Sequence, residues 1–145
     1  MYVKSIWKIL VVEDEEEVFA RMERAIEREA TLRDFNIKTL HAATLADAKQ
    51  KVKAYLPEVV STDMQYPLVE GGPTHASAGA QLIQFVGSRH TKTRTILYSG
   101  GAVSDSMALL EIHGISVFPP VLQKNYAVSH EAWARATLDQ LMVRT

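Results

Sequence analysis

Two short apolar runs that each stop at acid constrain this chain more than any other feature. Lys8-Ile9-Leu10-Val11-Val12 runs into Glu13-Asp14, and Glu58-Val59-Val60-Ser61-Thr62 runs into Asp63. Apolar runs of this length, bounded by charged and turn-forming residues, read as buried strands. Two such strands in one parallel sheet deliver three carboxylates to a single edge. Like charges at close range are unfavourable unless a cation, a shared proton or separation in space relieves them. The donors are hard oxygens and the chain has no cysteine, so the cation that suits them is Mg²⁺. That ion takes one or two carboxylates and completes its shell with water and phosphate oxygens. The pattern points toward phosphoryl chemistry.

The rest of the chain alternates apolar runs with helix-period segments, the signature of a parallel sheet covered on both faces by helices. Val18, Met22, Ala25 and Ile26 share one face of a first helix, with Glu17 and Arg21 spaced i,i+4 on the other. Ile37 to Ala42 reads as a second strand. Thr44 and Asp47 form a capping-box pattern opening a helix with Leu45, Ala48 and Val52 inward. Pro67, Gly71, Gly72 and Pro73 break up the stretch from Met64 to Ala76, which reads as a long, mobile loop. Ser77 then opens a helix with Leu82, Ile83, Phe85 and Val86 inward, and Arg94 to Ser99 makes a fourth strand that ends in a hydroxyl.

Ser104 or Asp105 reads as the cap of a helix over Met107 to Ile112, with Gly114 near its end. A fifth strand is expected to begin at Ile115 to Phe118 and continue through Val121 to Lys124 past Pro119-Pro120. A last amphipathic helix is expected from Ser129, with Ala134, Leu138 and Leu141 inward. Five strand–helix units use up the chain, which reads as one domain over 1–145 with a core from about 7 to 143 and no output module.

Composition narrows the class. The 145 residues are 47% hydrophobic and 23% charged, enough to bury a proper core. Sixteen Lys and Arg against 17 Asp and Glu leave a formal charge of −1, so no positive field is available to hold polyanions and direct nucleic-acid binding is not expected. The apolar stretch Ile9 to Val12 stops too early for a signal-peptide core or a membrane span. The absence of cysteine fits a reducing compartment, and a soluble cytoplasmic protein is expected. The five histidines show no metal-ligand spacing, and Trp7, Trp133 and the methionines read as packing residues.

Right-handed crossovers put all strand C-termini on one edge, where ligands bind in open α/β sheets. At this point Ile9-Leu10-Val11-Val12-Glu13-Asp14-Glu15, Asp63 with Pro67 four residues on, Ile96-Leu97-Tyr98-Ser99 and a late Lys124 resemble the receiver domain of two-component response regulators. The likeness covers nearly the whole chain. It implies a flavodoxin-like, doubly wound, five-stranded parallel sheet in the order 2-1-3-4-5. It also implies that Asp63 accepts a phosphoryl group from a phosphohistidine of a sensor kinase or histidine phosphotransfer protein. Glu13, Asp14, Asp63 and the backbone carbonyl of Gln65 would hold Mg²⁺. Lys124 would pair with a phosphoryl oxygen, and Ser99 would bond another and switch the surface offered to a downstream effector. Such a domain is a phosphoacceptor rather than a turnover enzyme, and the resemblance leaves a homodimer through the last helices and strands open.

The chain departs from the receiver pattern in three places. Asn125 follows Lys124 where the family has proline, Phe118-Pro119-Pro120 lengthens the segment after Gly114, and the stretch after Asp63 is long and contains His75. Each site residue also has a plainer reading: Glu13 to Glu17 as a solvated acidic helix start, Asp63 and Ser99 as turn formers, Lys124 as a surface lysine. Two other functions compete with the phosphoryl switch. One is a phosphorylation-independent pseudo-receiver that only binds partners. The other is a phosphohydrolase with an Asp nucleophile, which would place a carboxylic acid where Gln65 stands.

Overall fold

The computed structural model describes residues 5–124 and 130–142. The chain runs β1 (Trp7–Val12), α1 (Glu16–Leu32), β2 (Ile37–Ala42), α2 (Leu45–Tyr55), β3 (Val59–Thr62), β4 (Tyr66–Pro67), β5 (Thr74–His75), α3 (Ala78–Arg89), β6 (Arg94–Ser99), α4 (Val103–Ile112), β7 (Val121–Gln123) and α5 (Glu131–Asp139), with a closing 3₁₀ turn at Gln140–Met142. Five strands form one sheet in the order β2-β1-β3-β6-β7, all parallel, and β4 pairs with β5 in a separate antiparallel hairpin. With the hairpin set aside, this is the expected 2-1-3-4-5 order.

Strand pleating sends neighbouring residues of β1 to opposite faces. Ile9 and Val11 join a cluster with Val18, Met22 and Ile26 of α1 and Trp133 and Leu138 of α5. Leu10 and Val12 join Leu45, Ala48 and Val52 of α2 and Leu82 and Val86 of α3. A third cluster, Met64, Ala80, Ile83, Leu97 and Leu110, ties α3 and α4 to the site end of the sheet. Ile9, Leu10 and Val11 are wholly buried, and each such side chain contributes roughly 1.5–3 kcal/mol. Thr44 caps α2 as its pattern predicted, its hydroxyl accepting from the Asp47 amide at 3.1 Å. No helix among the described residues is long and apolar enough to cross a membrane.

The structure corrects three expectations about elements. The stretch from Met64 to Ala76 is not one irregular loop, because Tyr66↔His75 and Pro67↔Thr74 pair across it. Helix α4 begins at Val103, so Ser104 and Asp105 lie in its first turn instead of capping it. The fifth strand does not begin at Ile115; it is only Val121–Gln123, in register with Leu97 to Ser99. Proline lacks the donor that a ladder needs, and Pro120 serves there only as an acceptor, from the Leu97 amide at 2.9 Å. The expected start of the last helix at Ser129 lies outside the described residues, as does residue 143 at the end of the expected core.

Two glycines shape the site end. Gly114, at φ +77°, closes α4 in the left-handed conformation that side chains disfavour. Gly79, in the first turn of α3, is required for another reason. A Cβ there would lie 2.1 Å from the Asp63 carbonyl oxygen and 2.8 Å from the Met64 Cα. Glycine lets the helix press directly on the backbone that carries Asp63, with the Gly79 amide donating to the Met64 carbonyl at 2.9 Å. Gly79→Ala is expected to lower the free energy of unfolding by about 3 kcal/mol, read from the urea midpoint at constant slope.

Candidate functional site

Parallel pairing brings the C-terminal ends of β1, β3, β6 and β7 to one edge of the sheet, with Val12 beside Thr62 and Ser99 beside Gln123. The residues that follow those strands build a cleft of about 430 Å³. Glu13, Asp14, Glu15, Asp63, Gln65, Ser99 and Asp105 are among its lining. The sequence-predicted carboxylates therefore do meet, as do Gln65 and Ser99. Asp105, read from sequence as a helix cap, and Thr74 of β5 were not foreseen as lining residues.

Lys124 follows β7 directly and is 5% exposed. Its amide donates to the Ser99 carbonyl at 2.7 Å, which fixes where the side chain starts. Its ammonium donates to Asp63 Oδ2 at 2.9 Å and to Glu13 Oε2. The reading of Lys124 as an ordinary surface lysine therefore does not hold. Glu13 is 2% exposed, and its other oxygen accepts from the Glu15 amide at 3.2 Å. Asp63 keeps 16% of its side chain exposed and accepts from the Met64 amide at 2.6 Å through Oδ1. Asp14 is exposed, and so is Gln65.

Burial raises the Glu13 carboxyl above its usual value of 4.5, with Lys124 opposing and Asp63 adding to the rise. Burial likewise disfavours the charged Lys124, but Asp63 and Glu13 together outweigh it and hold the ammonium above 10.5. The lysine is thus a fixed positive charge between two carboxylates, and through its own titration its contribution to stability is lost as pH rises through that elevated value.

The fit of Mg²⁺ rests on the donor set. Among the described residues, no group of three or more Asp, Glu, His or Cys side chains is arranged as a metal cage. Lys124 stands between Glu13 and Asp63 as their shared cation. A hydrated Mg²⁺ needs only one or two carboxylates and a carbonyl, and Asp14, Asp63 and Gln65 line one cleft. These residues fit the hydrated ion.

Neighbouring contacts hold the cleft in shape. His41 Nε2 donates to the Glu13 carbonyl at 2.6 Å, and its ring stacks on Phe19 of α1 with centroids 3.9 Å apart. The Ser99 hydroxyl accepts weakly from the Gly101 amide at 3.4 Å, so its turn-forming role and its place on the cleft coexist. Tyr98 on the other face of β6 lies under Lys124, with the ammonium 5.4 Å from its ring centre. The Tyr98 hydroxyl is 2.6 Å from His130 Nδ1, its ring stacks on Trp133, and Trp133 donates to Ser61 Oγ at 2.8 Å. Burial, with Lys124 and Arg21 nearby, lowers the His130 pKa. The lowered value favours the neutral imidazole as the partner of the Tyr98 hydroxyl.

Structural comparison places this geometry among known folds. A signal receiver domain described as NarL from Mycobacterium tuberculosis superposes with a TM-score of 0.71 at 21% identity, covering 97% of this chain and 99% of that one. The signal receiver domain of an HD domain-containing protein from Pseudomonas fluorescens Pf-5 gives 0.70 at 17% identity over 95% and 96%. The non-phosphorylated HemR receiver domain from Leptospira biflexa gives 0.67 at 13% identity over 96% and 97%. The chain has the receiver-domain fold. Neither a family model nor a curated protein matches it by sequence, so in this receiver fold the likeness lies in backbone topology while most side chains differ.

Replacing Lys124 by Met leaves Glu13 buried without its counter-charge, at a cost of about 3–5 kcal/mol near pH 8. A carboxyl whose folded pKa stands above 4.5 loses stability as pH rises through the folded value, and the variant lifts that value further. The gap between wild type and Lys124→Met is therefore expected to shrink as pH falls from 8 and Glu13 takes a proton. Urea unfolding of both proteins across that pH range checks this.

Proposed function

We propose that this chain is a phosphoacceptor switch, with Asp63 as the group that takes and loses the phosphoryl. The observation that carries the reading is the contact of the buried Lys124 ammonium with Oδ2 of Asp63, a residue that lines an acidic cleft at the sheet's C-terminal edge. A carboxylate anchored on a rigid strand end, with a fixed cation beside it, suits in-line displacement at phosphorus, which needs positioning and charge stabilisation more than acid–base groups. Asp63 Oδ attacks phosphorus as the bond to a phosphohistidine nitrogen of a sensor kinase or histidine phosphotransfer protein breaks. The imidazole leaves and the acyl phosphate remains. Lys124 stays against the new phosphoryl oxygens, and the Ser99 hydroxyl turns from the Gly101 amide to donate to one of them.

Glu13, Asp14, Asp63 and the Gln65 carbonyl would hold Mg²⁺, directly or through water, and the ion would supply charge neutralisation to the approaching phosphoryl. The reorganised Ser99 loop then changes the surface that α4 and β7 offer to an effector or a second copy. In this reading the chain has no turnover chemistry beyond its own phosphorylation and dephosphorylation, and it acts in the cytoplasm alongside its donor.

A phosphorylation-independent interaction module is the second reading, favoured by one observation: both Glu13 oxygens already have partners, the Lys124 ammonium and the Glu15 amide. Intact-mass measurement after exposure to acetyl phosphate separates the two. The expected result is one acid-stable, base-labile phosphoryl adduct with Mg²⁺, absent in chelator and absent in Asp63→Ala. An unmodified wild-type chain under these conditions would support the interaction module instead.

A further inference from the structure

The β4–β5 hairpin lies between the strand that carries Asp63 and the helix that presses on it, and it is built into the fold at both ends. Tyr66 is fully buried. Thr62 gives its one hydroxyl proton to the Asp63 carbonyl at 2.7 Å, so the Tyr66 hydroxyl, 2.9 Å away, donates to Thr62. The Leu68 carbonyl accepts from the Ala46 amide at 3.0 Å, satisfying a donor in the first turn of α2. The Gly72 amide closes the tip onto the Val69 carbonyl at 3.0 Å, and the Ser77 amide donates to His75 Nδ1 at 3.1 Å on the return. The hairpin is therefore a pinned element, and Thr74 is the residue it contributes to the cleft, where Asp63 and Gln65 also lie, with Asp105 and Leu109 of α4.

We infer that this hairpin is a wall of the phosphoacceptor cleft and that Thr74 is a positioning residue limiting how water reaches a phosphoryl group on Asp63. The inference rests on the phosphoacceptor reading and deepens it by assigning control of the signal's lifetime. In hydrolysis a water oxygen bonds to phosphorus as the bond between phosphorus and Asp63 Oδ breaks. The water gives up a proton to solvent, and inorganic phosphate and the free carboxylate result. In-line attack brings the water in from the side opposite the leaving carboxylate oxygen. Thr74 is exposed and lines the same cleft, and a branched side chain held on a strand there restricts the water's approach, since excluding water is a recognised way of protecting a reactive intermediate. The effect belongs to the volume of Thr74 rather than to its hydroxyl.

The test loads the full chain from acetyl phosphate and Mg²⁺, removes the donor, and follows loss of the adduct by intact mass. Wild type, Thr74→Val, Thr74→Gly and a chain with residues 68–73 replaced by a short Gly-Ser turn are compared, with urea midpoints confirming that each is folded. Thr74→Gly and the shortened hairpin are expected to shorten the half-life at least about threefold, while Thr74→Val stays within about twofold of wild type. Equal half-lives in wild type and Thr74→Gly would overturn the inference and leave the phosphoacceptor reading standing. So would a Thr74→Val half-life as short as that of Thr74→Gly, which would assign the effect to the hydroxyl. Failure of every form to acquire an adduct would overturn the phosphoacceptor reading, and this inference with it. The point variants carry the test if the shortened hairpin does not fold.

Discussion

One buried ammonium between two carboxylates organises the working end of this molecule. Lys124, Glu13 and Asp63 come from the ends of three different strands, and they meet because those strands run parallel and in register. Removing such charges from water costs several kcal/mol each, and close pairing with hydrogen bonds is what offsets it. Glu13 is paired at both oxygens, and Asp63 accepts from an amide as well as from the lysine. Asp63 is the more exposed of the two carboxylates. The arrangement anchors the lysine on Glu13 while leaving the second carboxylate open to solvent.

Behind that triad, contacts run from the cleft into the helical layer. The Lys124 ammonium sits over Tyr98, Tyr98 bonds His130, and Trp133 spans from Tyr98 to Ser61 of β3. Tyr98 stands beside the Ser99 hydroxyl, and its partners lie at the start of α5. A shift of Lys124 or of the Ser99 loop would be felt at Tyr98 first and then at the helix packed against it.

The strongest strands were legible because their physics is local. Ile37–Ala42 and Arg94–Ser99 were readable to the residue, since apolar and β-branched runs between turn formers have few other ways to fold. The capping of α2 by Thr44 was equally plain. The hairpin of Tyr66–Pro67 and Thr74–His75 was not, because strands of two residues carry no period. The last strand was obscured by Pro119-Pro120, which breaks the apolar run just before three residues of pairing. At the site, acids following strands were visible in sequence, so Glu13, Asp14 and Asp63 were found. Thr74 and Asp105 reach the cleft by tertiary folding alone. The burial of His130 under Tyr98 depends on a contact across 32 positions that no spacing rule encodes.

The central claim is that the Lys124 ammonium is held by Asp63 and follows whatever charge that carboxylate carries. Its most direct test is ¹⁵N-detected NMR of the Lys124 side chain while beryllofluoride, a stable stand-in for the phosphoryl group, is added with Mg²⁺. The account predicts a slowly exchanging ammonium in the free protein whose resonance moves on addition, and an unmoved resonance in Asp63→Asn. A rapidly exchanging, solvent-like ammonium in the free protein, or a shift that survives Asp63→Asn, would contradict it.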